Sequence, residues 1–383
     1  MRRMKIGELQ QQKEGFKAFI PAPFPPKDDF EFSHIIGKKN DTAVRLLGKL
    51  DGITQLLPDM DFFLFMYIRK DAASSSQIEG TKATMIEAIE AEAKLDTDLP
   101  EDVDDILHYI KALNYGLKRL KDFPFVLRFL RELHKELMEG ARKTHFADPG
   151  GFRKTQNWIG GTRPDNAFFV PPPVSEMNRA LDDLEKFINV NDNILPLVKA
   201  GLAHAQFETI HPFLDGNGRT GRMLITFYLW KEQLLEKPML FLSSYFKRHQ
   251  KIYYDRLNKY HEGDVETWIE FFLEGVEEIA REAISTVLTI TKLREKDMMK
   301  IQSLSKRASE SAVLVLPQLY KMPIVNVAKI QEWTGFTRAG AQNVIDRFVD
   351  IGILRDRDPQ KTYDKSYIYQ KYVDVFTDYE KNK

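Results

Sequence analysis

Over most of its 383 residues this chain repeats its apolar side chains at helical spacing, and nowhere do strands alternate with helices. From about Asp41 to Leu120 the stretch "DTAVRLLGKLDGITQLLP" sets Val44, Leu47, Leu50 and Ile53 on one face, and "EDVDDILHYIKALNYGLKRL" repeats the scheme. A third helix over "FVLRFLRELHKELMEG" is expected to stop at Gly140, a residue type suited to the left-handed position that closes a helix. Helices resume at "SEMNRALDDLEKFI" and run to about residue 295, interrupted at "DGNGRTG" and "EKP". Three regions break the pattern. The first 40 residues, with "PAPFPP", read as an extended segment laid over the surface. In residues 150–173, "KTQNWIG" and "NAFFV" flank "GTRPD" and predict a β-hairpin. Beyond "LREKDMMKIQSLSKR", a polar linker or long connecting helix, three short helical patterns precede two strand-like runs around a turn, the order of a winged helix-turn-helix.

The expected fold is therefore mainly α: an N-terminal helical region over 1–100, a helical core with a hairpin over 101–295, and a small winged-helix domain over 305–383. Lys+Arg and Asp+Glu both number 56, so no global field points to nucleic acid or membrane. Cysteine is absent, which removes disulfides, thiol nucleophiles and cysteine-built zinc sites from consideration and fits a reducing compartment. The N-terminal "MRRMKIGELQQQKEG" has no apolar core of a signal peptide, and no apolar run approaches the ~20 residues that span a bilayer. A cytoplasmic protein is expected.

The chemistry concentrates in residues 211–222, "HPFLDGNGRTGR". "GNGRTG" satisfies the dinucleotide-binding pattern letter for letter, but that pattern needs a strand before it, and the preceding "LVKAGLAHAQFETI" is helical in period. A Walker loop fails for want of its lysine. The following "RTGRMLITFYLWKEQL" reads as a helix with Leu224, Phe227 and Tyr228 at core spacing, which puts the glycines at its N-terminus. There the unpaired N–H groups and the positive dipole end attract anions, and Gly216 and Gly218 leave room for a phosphate. Arg219 and Arg222, three apart, can reach one polyphosphate. Asp215 suits a phosphate–Mg²⁺ pair, and His211 can take a proton near neutral pH. A bland alternative is a glycine turn that merely joins two helices.

These residues resemble the Fic-domain motif H-x-F-x-[DE]-G-N-G-R-x-x-R at every fixed position, and the resemblance extends from about residue 70 to 275. It implies a protein adenylyltransferase that uses ATP and Mg²⁺ to place AMP on a Ser, Thr or Tyr hydroxyl of a target protein and of itself. In that reading His211 is the base, Asp215 holds Mg²⁺, and Gly216, Asn217 and Gly218 form the anion nest. Arg219 grips the β-phosphate and Arg222 orients the γ-phosphate, while Thr220 and Gly221 complete the nucleotide-binding stretch and Phe213 anchors it in the core. Ile159, Gly160, Gly161 and Thr162 fall at the tip of a flap that receives the target segment in extended form, and Tyr253 packs at the adenine or in the core. The runner-up readings are a nucleotide-sensing transcriptional regulator and a Fic enzyme transferring another phosphate-containing group.

"SSSQIEGT" at 74–81 supports two readings. One is a capping box, Ser76 to Glu79, that starts the next helix, although Gly80 is awkward in a first turn. The other follows from the resemblance: Ser75, Glu79 and Gly80 match the inhibitory motif S-x-x-x-E-[GN], whose glutamate pairs with Arg222. In the C-terminal region "TRAGAQNVIDRFVDIG" offers Arg338, Gln342 and Asn343 to a major groove. Residues 321–371 hold nine Lys/Arg against six Asp/Glu, only mildly basic, so DNA binding and protein docking through 305–383 stay equally open. A homodimer is among the candidate assemblies.

Overall fold

The computed structural model describes residues 4–26, 30, 32–55, 57, 60–94, 99–141, 148–357, 359–361, 363 and 365–377. The chain is mainly helical, with two small antiparallel sheets among the described residues. At the N-terminus, β1 (Gly7–Gln11) and β2 (Lys17–Pro21) pair as a hairpin, Gly7 opposite Pro21 and Gln11 opposite Lys17. This corrects the expected extended segment. The turn at Gly15 takes φ +93, and Phe19 is buried against Phe169 and His261, while its N–H donates to the Val170 carbonyl at 2.9 Å.

Next comes α1 (His34–Thr54), packed lengthwise on the late helix Val265–Gln302. Its buried face runs through Ile36, Ala43, Leu47, Leu50 and Thr54, and Val44 is 41% exposed. The expected stripe was thus off by one residue at its start. Ala43, not Val44, is in register with Leu47 and Leu50, and a small side chain lets the helices approach closely. α2 (Met60–Ile78) ends in a turn at Glu79–Gly80, with Gly80 at φ +96. α3 (Met85–Ala93) begins with its own capping box, Thr84 with Glu87. The Ser76–Glu79 box is therefore ruled out: Ser76 lies inside α2 and its hydroxyl approaches the Asp105 carbonyl at 3.4 Å.

α4 (Val103–Arg119) and α5 (Leu127–Met138) pack as a pair, and α5 stops before Gly140 at φ +84, as its sequence indicates. The stretch expected as a hairpin forms a single bridge, Ile159 to Phe169, around a 3₁₀ turn at Pro164–Asn166. Its base does not continue as strands: the Arg153 N–H and the side chains of Arg153 and Asn157 are taken by the 211–213 loop. Then follow α6 (Val174–Asn189), α7 (Pro196–Ile210), α8 (Asn217–Lys231), α9 (Ser243–Arg248), α10 (Gln250–His261) and α11 (Val265–Gln302). Every residue of α7 from Leu197 to Ile210 is buried, which makes it the axis of the bundle and explains its all-round apolar character. The polar "LREKDMMKIQ" is not a flexible linker but the last turns of the 38-residue α11.

The C-terminal segment runs α12 (Lys306–Lys321), β3 (Ile324–Val325), α13 (Val327–Thr334), α14 (Arg338–Asp350), β4 (Arg355–Asp356), β5 (Tyr367–Ile368) and α15 (Gln370–Thr377), with sheet order β3-β5-β4. It is docked, not tethered. Fully buried Asp297 on α11 accepts from the Tyr369 hydroxyl and from Lys300, and Arg357 pairs with buried Glu90 on α3. No helix of the described residues is long and apolar enough to cross a membrane. Tyr369→Phe removes a donor from the buried Asp297 carboxylate, so stability should fall by roughly 1–3 kcal/mol. A urea titration against the parent measures it, and an unchanged midpoint would mean that the contact contributes nothing.

Candidate active site

The 211–222 segment is the connection between the two most buried helices. α7 ends at His211 in the left-handed region (φ 48, ψ 60), and Gly216 (φ 75) caps α8. Four side chains hold the loop between them. Phe213 is buried and stacks on His134 at 3.7 Å with an interplanar angle of 3°. The Asn217 amide brackets Phe213, accepting from its N–H and donating to its carbonyl, both at 2.8 Å. Asn157 donates to the carbonyls of His211 (3.1 Å) and Phe213 (2.9 Å). Arg153, almost wholly buried, donates to the carbonyls of His211 (3.0 Å), Thr155 (3.2 Å), Pro172 (2.5 Å) and Ile210 (3.4 Å). Burial lowers its pKa to about 10, so it still carries its charge at neutral pH. These bonds hold a non-glycine residue at positive φ, a conformation that would otherwise be sparsely populated.

His134 closes the loop from the other side. Its Nδ1 accepts from the Gly150 N–H (2.9 Å), so Nε2 carries the proton and donates to the Asp215 carbonyl (3.0 Å). Burial lowers its pKa to about 4 and keeps it neutral. Sequence reasoning missed Arg153, Asn157 and His134. The aromatic and polar run "GFRKTQNW" was the available signal for the first two; His134 looked like one more residue of an amphipathic helix.

His211 itself has its Nδ1 buried without a hydrogen bond, 3.9 Å from Glu208 Oε2. Burial, opposed by Glu79 and reinforced by Arg153, brings its pKa down to about 4, so the imidazole is neutral and able to accept a proton. Asp215 is half exposed, and its Oδ1 accepts from the Gly216 N–H at 2.6 Å. A single carboxylate with an open side suits Mg²⁺, which takes one or two carboxylates and completes its shell with phosphate oxygens and water. Among the described residues no group of three or more His, Asp or Glu is assembled for a metal.

The first N–H groups of α8 have no intrahelical acceptor and point to the positive end of the helix dipole. The two arginines beyond it diverge. Arg219 lies toward Asp215 (3.8 Å) and Asp105 (3.9 Å). Arg222 donates through Nε to Ser75 Oγ (2.8 Å) and through Nη2 to the Ser75 carbonyl (2.9 Å) and Glu79 Oε1 (2.8 Å). Burial would push the Arg222 pKa down, but Glu79, with Tyr253 and Tyr109, turns the balance upward. The Glu79 carboxylate sits over Gly218: a Cβ there would fall 2.3 Å from Glu79 Oε1. An anion of the protein's own thus lies at the positive end of α8.

α2 is pinned so that its end reaches Arg222. Arg69 forks onto Glu92 with two 2.6 Å bonds, and Asp71 accepts from the Tyr109 hydroxyl (2.8 Å) and the Ser243 N–H (3.1 Å). Lys70 pairs with buried Glu282. Among the described residues no hydrogen bond joins the flap tip, Ile159 to Thr162, to residues 211–222; the flap meets the loop only through its base. The tip is held locally, Thr162 and Arg163 N–H donating to Asn166 Oδ1, and Phe168 beside it is 88% exposed. Tyr253 corrects the expected adenine contact. It is 1% exposed, its hydroxyl bonds His204 Nε2 at 2.8 Å and its ring stacks on Phe246, so it belongs to the core. Tyr254, one residue on, is the exposed aromatic.

Residues 124–229 match the Fic/DOC family, and residues 37–118 match the Fic/DOC family N-terminal region. Among curated relatives, the chain is 30% identical over 173 residues to "Protein adenylyltransferase Fic" of Culex quinquefasciatus, covering 44% of this chain and 31% of that one. It is 25% identical over 256 residues to the protein of the same name from Drosophila willistoni, covering 64% and 47%. The chain thus spans less than half the length of these relatives. Its fold is similar to that of a Fic family protein from Desulfovibrio desulfuricans G20, with TM-score 0.59 at 19% identity over 89% of this chain and 97% of that one. It is also similar to Fic-1 (residues 134–508) from C. elegans, with TM-score 0.53 at 18% identity over 67% and 73%. The loop held by Phe213 and Asn217 therefore lies in the stretch that matches the Fic/DOC family, and the helix that reaches it with Glu79 in the stretch that matches that family's N-terminal region.

Proposed function

We propose that this chain is a protein adenylyltransferase, moving AMP from ATP to a Ser, Thr or Tyr hydroxyl on target proteins and on itself, and restrained by Glu79. The juxtaposition that supports it is a neutral imidazole, an open carboxylate and a helix N-terminus with two arginines, all within twelve residues. The names of the curated relatives point the same way.

In this reading His211 accepts the proton of the target hydroxyl, whose oxygen bonds the α-phosphorus as the α–β phosphoanhydride bond breaks. The N–H groups of Asn217, Gly218 and Arg219 hold the leaving pyrophosphate together with the Arg219 guanidinium. Asp215 would hold Mg²⁺, which when bound neutralises charge on the phosphates. The flap edge at Ile159–Thr162 aligns an extended target segment, and Tyr254 stands at the rim where a base can stack. Arg222 receives the γ-phosphate only when Glu79 leaves it. The cysteine-free composition fits a cytoplasmic setting. A pure nucleotide sensor would not need His211 held at positive φ by two side chains.

Residues 306–377 we read as a winged helix, supported by the order of α12, β3, α13, α14, β4 and β5 and by the antiparallel β3-β5-β4 sheet. On its α14, Arg338 and Asn343 are exposed, while Gln342 is partly taken by Asp346 at 2.8 Å. With so mild a positive balance, the full chain should bind duplex DNA weakly and lose it as salt rises. A fluorescence-anisotropy titration at two salt concentrations checks this, and tight binding at physiological salt would favour a regulator instead.

His211→Ala should cut transfer by ~10²–10⁴-fold while ATP still binds, read as protein labelling with α-³²P-ATP beside a γ-³²P-ATP control. Wild-type labelling by the variant would remove His211 from the reaction.

Glu79→Gly should raise the rate. Glu79 lies just past the end of α2, so a glycine there avoids the ~1 kcal/mol penalty of a helix interior. Adding Arg222→Ala should reverse the gain, because the γ-phosphate then has no partner. Initial rates of self-labelling decide. A single variant no faster than wild type would sink the inhibitory role, and a double variant as fast as the single would acquit Arg222.

A further inference from the structure

The reaction as read above leaves Glu208 without a task, yet its surroundings are specific. It sits on the last turn of α7, nearly buried, with Oε1 lacking a hydrogen-bond partner, and Oε2 is 3.9 Å from the equally unpartnered Nδ1 of His211. Its seat is built by the neighbouring helix: a Cβ at position 221 would lie 2.3 Å from Oε1 and 3.0 Å from Phe207 Cδ1, so only a glycine before Arg222 admits the carboxyl. Each residue thus leaves one buried polar atom, Glu208 Oε1 and His211 Nδ1, without a hydrogen bond, which costs stability, and with Oε2 already 3.9 Å from Nδ1 a small turn of the carboxyl would join the two groups.

We propose that Glu208 is a positioning residue for His211: its carboxylate accepts a hydrogen bond from Nδ1–H and fixes the tautomer that leaves Nε2 open to the target's hydroxyl. The inference rests on His211 being the base. A neutral imidazole has one donor and one acceptor nitrogen, so Nε2 can take a proton only while Nδ1 carries one. Since Nδ1 is buried, the ring reaches the surface through Nε2. The proton of the target moves to Nε2 and stays there, and Glu208 keeps its hydrogen bond and stabilises the imidazolium without taking a proton itself. A separation of 3.9 Å is longer than a hydrogen bond, but such contacts commonly tighten only when nucleotide and target are bound.

The charged groups around the pair tell when the carboxylate is available. Arg222 faces Glu208 from α8, Glu79 from the end of α2, and Tyr253 and Tyr254 from α10; His211 faces Arg153 from the base of the flap, Asp215 from its own loop and the Glu208 backbone carbonyl on α7. Burial raises the Glu208 pKa to about 8, with Arg222 opposing and Glu79 reinforcing. Below that pH the protonated carboxyl donates to Nδ1 and selects the tautomer with the wrong nitrogen free. Removing Glu79 takes away a negative neighbour and lowers the value.

The test uses the full chain carrying Glu79→Gly. Its kcat/KM should rise with pH along a limb below pH 8, the side to which losing Glu79 moves the Glu208 titration. Glu208→Gln keeps an acceptor but cannot titrate: the rate should stay within roughly 5-fold and the limb should flatten, whereas Glu208→Ala should lose roughly 10- to 100-fold in kcat with the Kd for ATP unchanged. Imidazole ¹⁵N shifts of His211 should report Nδ1–H above pH 8 in the parent and lose that preference in Glu208→Ala. The proposal is overturned if Glu208→Ala is as fast as its parent, if Glu208→Gln leaves the pH limb in place, or if the tautomer ignores residue 208. If the Glu79→Gly parent transfers no AMP, the adenylyltransferase reading fails, and the ¹⁵N shifts still decide the role of Glu208.

Discussion

One guanidinium ties the candidate site together. Arg153 spends its donors on backbone carbonyls at the start of the 211–216 loop and from both arms of the flap, with no carboxylate paired to it among the described residues. A buried cation with only carbonyl partners is expensive, and here four carbonyls share the cost of holding it. The loop turns too sharply to bond itself: His211 sits at positive φ and the ladder of α7 has ended. The same residue therefore sets the height of the flap over His211 and the conformation of His211. Asn157 and Asn217 converge on the Phe213 carbonyl, Asn157 adding a bond to the His211 carbonyl and Asn217 one from the Phe213 N–H.

The second constraint is the asymmetry of the Glu79–Arg222 pair. Arg222 is buried and held additionally by Ser75, while Glu79 is about 40% exposed. When the two part, the arginine cannot follow, and the carboxylate moves into water at little desolvation cost. A phosphate taking its place offers more charge and more acceptor oxygens to the same fork. Competition at one buried cation, not closure of a lid, is how the proposed restraint would operate.

How much of this lay in the sequence depends on how local its cause is. The 211–222 motif, the end of α5 at Gly140 and the helical core of Leu224, Phe227 and Tyr228 were legible because each follows from spacing or from one residue's backbone preference. The β1–β2 hairpin was not, because Phe19 is buried by Phe169 and His261, residues far away in sequence. Val44 was mistaken for core because the packing of α1 on α11, not the hydrophobicity of a single residue, selects the buried face. Tyr253 went astray for a related reason: adjacent tyrosines on a helix point about 100° apart, and only the position of His204 tells which one turns inward. The sequence pointed to Asn217 for its place in the glycine run, and gave no sign that its side-chain amide brackets Phe213 and shapes the loop.

The tie between Arg357 and Glu90 joins the C-terminal sheet to α3, the helix that directly follows the Glu79 turn. Arg69 carries the link onward from α3 to α2 through Glu92. Whatever engages the C-terminal segment with a preference for one arrangement of α3 must therefore meet a coupling free energy at Arg222. Such couplings are reciprocal. The occupant of Arg222, carboxylate or phosphate, would alter the hold of the distant ligand by the same factor by which that ligand alters the occupancy of Arg222.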